Sequence, residues 1–234
     1  YRPHQRDGES RNGPAAVVCP TPLIRHALER WVAIILTCAG AVVTVVFTDS
    51  AHERLDKASV IFSASSDAAG DGRGTPGIGG YIHGFFWRVA LPTSILASMH
   101  ITAWETLAAC VNILVAARLT DAQAMLAMQV DALLTPYAIS NQRSTSQDVQ
   151  FMIQWLLSYA YYVRHVAKRI ALRHLSGDGN VPADLVSRGL WHEFAKLCAL
   201  LQVKPVQVCL QEPERRIVKA AIQQAAERKS VLIT

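Results

Sequence analysis

Several signatures of common chemistries are missing from this 234-residue sequence. Its five cysteines, Cys19, Cys38, Cys110, Cys198 and Cys209, are odd in number, widely spaced and form no CxxC. That pattern argues against a disulfide framework and a zinc site, and it reads as reduced thiols in a cytoplasmic or nuclear protein. No GxGxxG opens a helix and no GxxxxGK[ST] occurs, so the dinucleotide and P-loop fingerprints are absent. His192-Glu193 does not belong to an HExxH, because position 196 is Lys. There is no GxSxG, so no nucleophilic side chain announces itself. Negative charge is in the minority: 18 Asp and Glu stand against 23 Lys and Arg, a net +5. That balance suits a polyanionic partner and says nothing about fold.

What is present is enough apolar material for a core. The chain is 51% hydrophobic and 18% charged, which fits one large domain or one domain with appendages. Residues 1 to 20 are polar, carry Gly8, Gly13, Pro14 and Pro20, and show no secretory signal. They read as a loose arm, and the start at Tyr1 suggests a piece of a longer protein. Residues 31 to 48, WVAIILTCAGAVVTVVFT, contain no charge. The run is long enough for a membrane span. Against that reading stand Gly40 in its middle and the Val- and Thr-rich second half, which looks like a buried strand. The reading carried forward is a helix and strand packed on the main domain, with no membrane among the expected partners.

The next stretch organises the rest. Val60 to Ser66 reads as a strand that ends on Asp67, followed by a loop with Gly70, Gly72 and Gly74. A second strand runs from Gly77 to about Phe86 and a third covers roughly 87 to 91. An inward aspartate at a strand end is costly unless something meets it. The loop glycines read as turn geometry rather than a phosphate cradle. Helical spacing predicts a largely buried helix from Thr102, as its cap, to Ala117, with Glu105 in the first turn. Residues 124 to 130 form a strand of weak propensity ending at Asp131, followed by a short helix or turn broken near Pro136. Asp121 nearby reads as a turn residue. Ser146 or Thr145 caps a helix from Gln147 to about His165. Residues 170 to 175 form a short strand, and Pro182 starts a helix carrying Asp184 in its first turn. An amphipathic helix covers 191 to 201, and a charged, peripheral one covers 212 to 229.

Four acids therefore stand at element ends: Asp67, Glu105, Asp131 and Asp184. Their order and settings resemble the ribonuclease H family, specifically the domain that follows the reverse transcriptase in retroelements of the LTR or DIRS type. The matching segments are SDAAGDGRGTPGIGGYIHGFFW, HITAWETLAA, QVDALLTPYAI and LRHLSGDGNVPADLVSRG. The last is the most specific. The resemblance covers about residues 59 to 190.

The resemblance implies an α/β, ribonuclease H-like fold: a five-stranded mixed sheet, its first three strands antiparallel, flanked by helices. Residues 1–58 would be a remnant of the polymerase connection, 59–190 the nuclease domain and 191–234 a helical extension. Asp67, Glu105, Asp131 and Asp184 would ligate two Mg²⁺ ions, with Mn²⁺ able to substitute and Asp67 bridging. His174 matches a histidine that assists product release or proton transfer in cellular members, and Asn180 matches a polar loop residue. Ala132 follows Asp131 where many members carry a small polar residue. The implied substrate is the RNA strand of an RNA–DNA hybrid, read through groove shape and 2′-hydroxyls. Backbone-contact candidates are Arg143, Lys168, Arg169 and Arg173. No YxDD-type polymerase motif occurs, so the polymerase would lie upstream of this chain. Alternatives are a catalytically inactive, nucleic-acid-binding relative and a DNA-acting integrase or transposase nuclease of the same fold.

Overall fold

A computed structural model describes residues 61–70, 72–120, 124–159, 170–175 and 179–233. The apolar run 31–48, Asp121, Lys168 and Arg169 lie outside the described residues. The sheet begins with β1 (Ile61–Ala69), β2 (Gly77–Ile82) and β3 (Phe85–Ala90), an antiparallel meander. A tight turn at His83-Gly84 joins the last two. Strand β4 (Met125–Val130) lies parallel to β1, and β5 (Ile170–His174) lies parallel to β4. A two-residue strand, β6 (Val206–Gln207), adds to β3, so among the described residues the sheet has six strands in the order β5-β4-β1-β2-β3-β6 rather than the expected five. Val206-Gln207-Val208 alternates but is too short a run to read as a strand, and it pairs on the edge that β3 offers.

Helices cover both faces. Helix α1 (Thr93–Leu96) leads into α2 (Ile101–Leu119), which packs on β1, β2 and β4. Although α2 is long and apolar enough to cross a membrane, it is the core helix of this sheet. Burying one of its larger side chains is worth about 1.5–3 kcal/mol, and Leu107, Val111, Ile113 and Val115 are all fully buried. The cap is His100, whose Nδ1 accepts from Thr102 N at 3.3 Å, two residues ahead of the Thr102 cap that the sequence suggests. Helix α3 (Thr135–Ser140) carries Pro136 in its first turn; the proline starts this helix and does not break it. Helix α4 (Gln147–Ser158) has Ser146 as its cap, and it ends at Ser158, short of the expected His165, where Tyr159 turns extended.

On the opposite face, α5 (Val181–Ser187) packs on β1, β2 and β3, and α6 (Trp191–Leu200) packs on α5. Phe194 there meets Tyr81 and Phe86 edge-on at 6.1 and 5.1 Å. The last helix, α7 (Glu212–Ile233), is not peripheral. Its Ile217, Ala221 and Ala225, at helical spacing, are buried in the main core against α2 and α4. The charged residues that suggested a solvated helix occupy its other face. Glu214, only 2% exposed, ties it down: it accepts from Arg118 Nε at 3.2 Å and reaches back to Gln211 N at 2.9 Å as a capping-box acid does.

Candidate metal centre

Parallel pairing sets the first two acids side by side. In the β1–β4 register Ser66 faces Val130, so Asp67 and Asp131 occupy the next row on adjacent strands, which lie about 4.8 Å apart. Asp67 is still within β1, paired to Gly79 of β2, whereas Asp131 is the first residue past β4. Glu105 comes from α2. It stands in the second helical turn rather than the first, so it does no work as a dipole-facing first-turn acid. One oxygen from each of Asp67, Glu105 and Asp131 can be chosen so that all three lie within 4.8 Å of one another. Asp67 is buried and the other two are half-buried. They line a cleft of about 430 Å³ with Gly70, Trp104 and Arg188.

Oxygens alone, on three carboxylates from three elements, make a hard donor set of the kind magnesium and manganese prefer. The electrostatics agree. Glu105 is pushed up to about 7, first by burial and then by the charges of Asp67 and Asp131. Asp67 is also raised, by burial first, although a hydrogen bond from Ser187 opposes this. A cation between these groups would relieve what protons otherwise relieve. This cluster therefore fits a divalent ion.

The consequence for stability has a defined sign. Between about pH 4.5 and 7 the folded protein keeps the Glu105 proton that the unfolded chain has lost. Stability is therefore highest below that window and falls as pH rises through it. We predict that the metal-free protein loses about 1–2 kcal/mol across it, after allowance for solvent at a half-buried carboxyl. Saturating Mg²⁺ or Mn²⁺ should restore the loss above pH 7, because the ion takes the place of the proton. Thermal melts with and without the ion over this pH range check both statements.

Asp184 is not one of the three whose oxygens come within 4.8 Å of one another, yet its charge raises Asp67 more than that of Asp131 does. It lies in the first turn of α5, as expected, and its Oδ1 accepts from Arg188 Nε at 2.6 Å. Ser187, one turn on, donates to Asp67 Oδ2 at 2.6 Å, and its Oγ also lies 2.9 Å from Asp184 O. A hydroxyl has one proton to give, and the carboxylate is the stronger acceptor. Neither Ser187 nor Arg188 was singled out from sequence. Both sit at i+3 and i+4 from Asp184, the spacing that shares a helix face, and that signal would have found them.

The remaining candidates fall in different settings. His174 pairs with Val130 in the β4–β5 register, one row behind the acids, and is half-buried. Asn180 is buried at 1% exposure, and its Nδ2 donates to Ser66 O at 2.9 Å. It pins the start of α5 to β1. Arg143 is exposed just past α3, and Arg173 is half-buried in β5. The loop ahead of β2 is fixed by an Arg73–Glu193 ion pair of 2.5 Å and by Thr75 N donating to Arg188 O at 2.9 Å. Gly74 there has φ +93°, and a Cβ would overlap that same carbonyl, so this glycine serves the turn geometry. No protein-family model matches this chain, and neither does any curated protein sequence.

Proposed function

We propose that this chain is a divalent-metal-dependent endonuclease of the ribonuclease H type, hydrolysing the RNA strand of RNA–DNA hybrids. The observation that carries this reading is the convergence of Asp67, Glu105 and Asp131, from β1, α2 and β4, on one cleft. It is supported by the antiparallel β1–β3 meander and the parallel β4 and β5 that the sequence resemblance implies. The basic net charge suits a polyanionic substrate.

Divalent ions held at such carboxylates supply an activated water and neutralise charge on the leaving oxygen. The chain's own part is to hold the donors without rearrangement. Asp67 is fixed by the β1–β2 ladder and by the Ser187 hydroxyl. Glu105 is carried on a helix immobilised in the core. Asp131 follows directly on the last ladder residue of β4. No side-chain nucleophile is required, in keeping with the absence of such a motif.

The Asp184–Arg188 pair favours a second reading, a relative that binds hybrids without cutting them, because the fourth acid of the pattern is already engaged. One assay separates the two. End-labelled RNA–DNA hybrid should be cut in Mg²⁺ or Mn²⁺, leaving 3′-hydroxyl and 5′-phosphate ends, with chelator abolishing cleavage. Binding without cleavage in either ion would favour the inactive relative. Cleavage of duplex DNA at a rate matching that of the hybrid would move the assignment to a DNA-acting nuclease.

A further inference from the structure

We propose that a buried hydroxyl pair, Thr106 and Thr135, sets the gap between Glu105 and Asp131 and so the cation affinity of the cleft. Both are positioning residues: they stand outside the carboxylate donors, and their role rests on the nuclease reading of that site. Thr106 directly follows Glu105 on α2, and Thr135 opens α3 shortly after Asp131. Each is 0% exposed.

The protons of the pair can be assigned. Thr106 Oγ1 lies 2.8 Å from Thr102 O and 2.9 Å from Thr135 Oγ1. A carbonyl oxygen only accepts and a hydroxyl has one proton, so Thr106 donates to Thr102 O and Thr135 donates to Thr106. Thr135 N donates in turn to Ala132 O at 3.2 Å, closing a turn on the residue next to Asp131. A path of hydrogen bonds thus runs from the first turn of α2 to the backbone beside Asp131, shut off from water, where such bonds are strongest.

A directional tie matters at this end of α2. The helix is buried at every residue from Thr106 to Ala117. Apolar packing is non-directional, so it fixes the roll and axial position of such a helix less sharply than a hydrogen bond does. Repelling carboxylates would use that freedom to move apart. Asn112 ties the middle of the helix to Ser65 O and Trp87 Nε1 on the sheet. Thr106, about 9 Å along the axis from it, ties the end that carries Glu105 to the segment that follows Asp131. Strand register already sets Asp67 beside Asp131, so the separation left for this tie to set is that of Glu105.

The test is Mn²⁺ binding to the protein by calorimetry, beside thermal melts in chelator. Replacing both hydroxyls at once, Thr106→Val with Thr135→Val, leaves neither partner orphaned, and the protein should melt within about 3 °C of wild type. Its Mn²⁺ affinity should fall about tenfold, the lower end of what losing an outer positioning contact costs a metal site. Thr106→Ser with Thr135→Ser keeps both hydroxyls and should recover most of that affinity. Hybrid cleavage by the valine pair should drop at limiting Mn²⁺ and return as Mn²⁺ is raised, with KM for hybrid unchanged. Thr120 makes the same backbone bond, to Ala116 O at 2.8 Å, just past the far end of α2, and Thr120→Val should bind Mn²⁺ as wild type does. Wild-type Mn²⁺ affinity in the valine pair would overturn the proposal and leave the nuclease reading standing. An equal loss in the serine pair would overturn it by assigning the effect to packing, and an equal loss in Thr120→Val by assigning it to any slackening of α2. A wild-type protein that neither binds Mn²⁺ nor cuts hybrid would remove both. Should the valine pair fail to fold, Thr135→Val alone decides, because it leaves the Thr106 bond to Thr102 O in place: unchanged affinity overturns the proposal.

Discussion

Asp67→Asn should slow hybrid cleavage by about a thousand-fold, the ~4 kcal/mol scale of losing a central electrostatic group from a reaction centre. It should do so without loss of stability. Asp67 is buried, and its carboxyl is raised by that burial and by the nearby charges of Asp184 and Asp131. The ionised form is thus the costly one in the metal-free fold. Asparagine keeps the shape and an acceptor for the Ser187 hydroxyl, whose bond to Asp67 Oδ2 is 2.6 Å. It removes the charge that repels Glu105 and Asp131. Without divalent ions above pH 7, the variant should melt higher than wild type, by roughly 2–4 °C for each kcal/mol of relieved repulsion in a domain of this size. Added Mg²⁺ should stabilise wild type much more than the variant. An Asp67→Asn protein that cuts hybrid as fast as wild type would exclude this cluster as the reaction centre. One that melts well below wild type in chelator would show that Asp67 is structural.

Gly80→Ala should be the most damaging small substitution in the sheet. Gly80 pairs with Ser66 and Trp87 across β2, and a Cβ there would overlap Asn112 Oδ1, Asn112 Cγ and Trp87 Nε1. None of these atoms has room to give. Trp87 Nε1 donates to Asn112 Oδ1 at 2.8 Å, and Asn112 Nδ2 donates to Ser65 O at 3.0 Å. All three residues are buried, so displacing the amide strands polar groups away from water. The expected cost is about 3 kcal/mol or more, at the upper end for overpacking a core, with the melting temperature lowered by roughly 6–12 °C. Gly70→Ala is the contrast. Its Cβ would meet only Ile101 Cδ1 at 3.8 Å, an ordinary contact, and its stability should change by no more than about 0.5 kcal/mol. Equal melting temperatures for the two variants would contradict this account of how α2 seats on β2.

These contacts mark where legibility in the sequence stops. The apolar runs and turn residues from Val60 to Leu91 were enough for three antiparallel strands, because pairing across a hairpin is local, but not for the β2–β3 turn, which was expected after Phe86 and falls at His83-Gly84. The apolar run after His100 was enough for a buried helix. The lone Asn112 within that run carries no local sign of its partners, although a buried amide in an apolar helix has to find them. Strand β6 could not be read at all, since a two-residue pairing is dictated by the edge it joins. The final helix was misjudged for a different reason. Its charges, Arg215, Arg216 and Lys219 among them, dominate a linear reading, whereas Ile217, Ala221 and Ala225 form a narrow stripe whose partners lie about a hundred residues away on α2.

For the site, the sequence by itself determined which residue types stand at the ends of which elements: Asp67 closing an apolar run, Glu105 near the start of a buried helix, Asp131 after a weak strand, Asp184 behind a proline. Side-chain chemistry and local periodicity fix that much. Only the tertiary structure decided which acids meet. The parallel pairing of β1 with β4 brings Asp67 and Asp131 into one row, and the seating of α2 across them delivers Glu105. The turn geometry of α5 pairs Asp184 with Arg188 while its charge still reaches Asp67. The reason is that carboxylates repel at close range and are brought together only by the packing of the elements that carry them. That packing energy is spread over the whole core, and no short stretch of sequence records it.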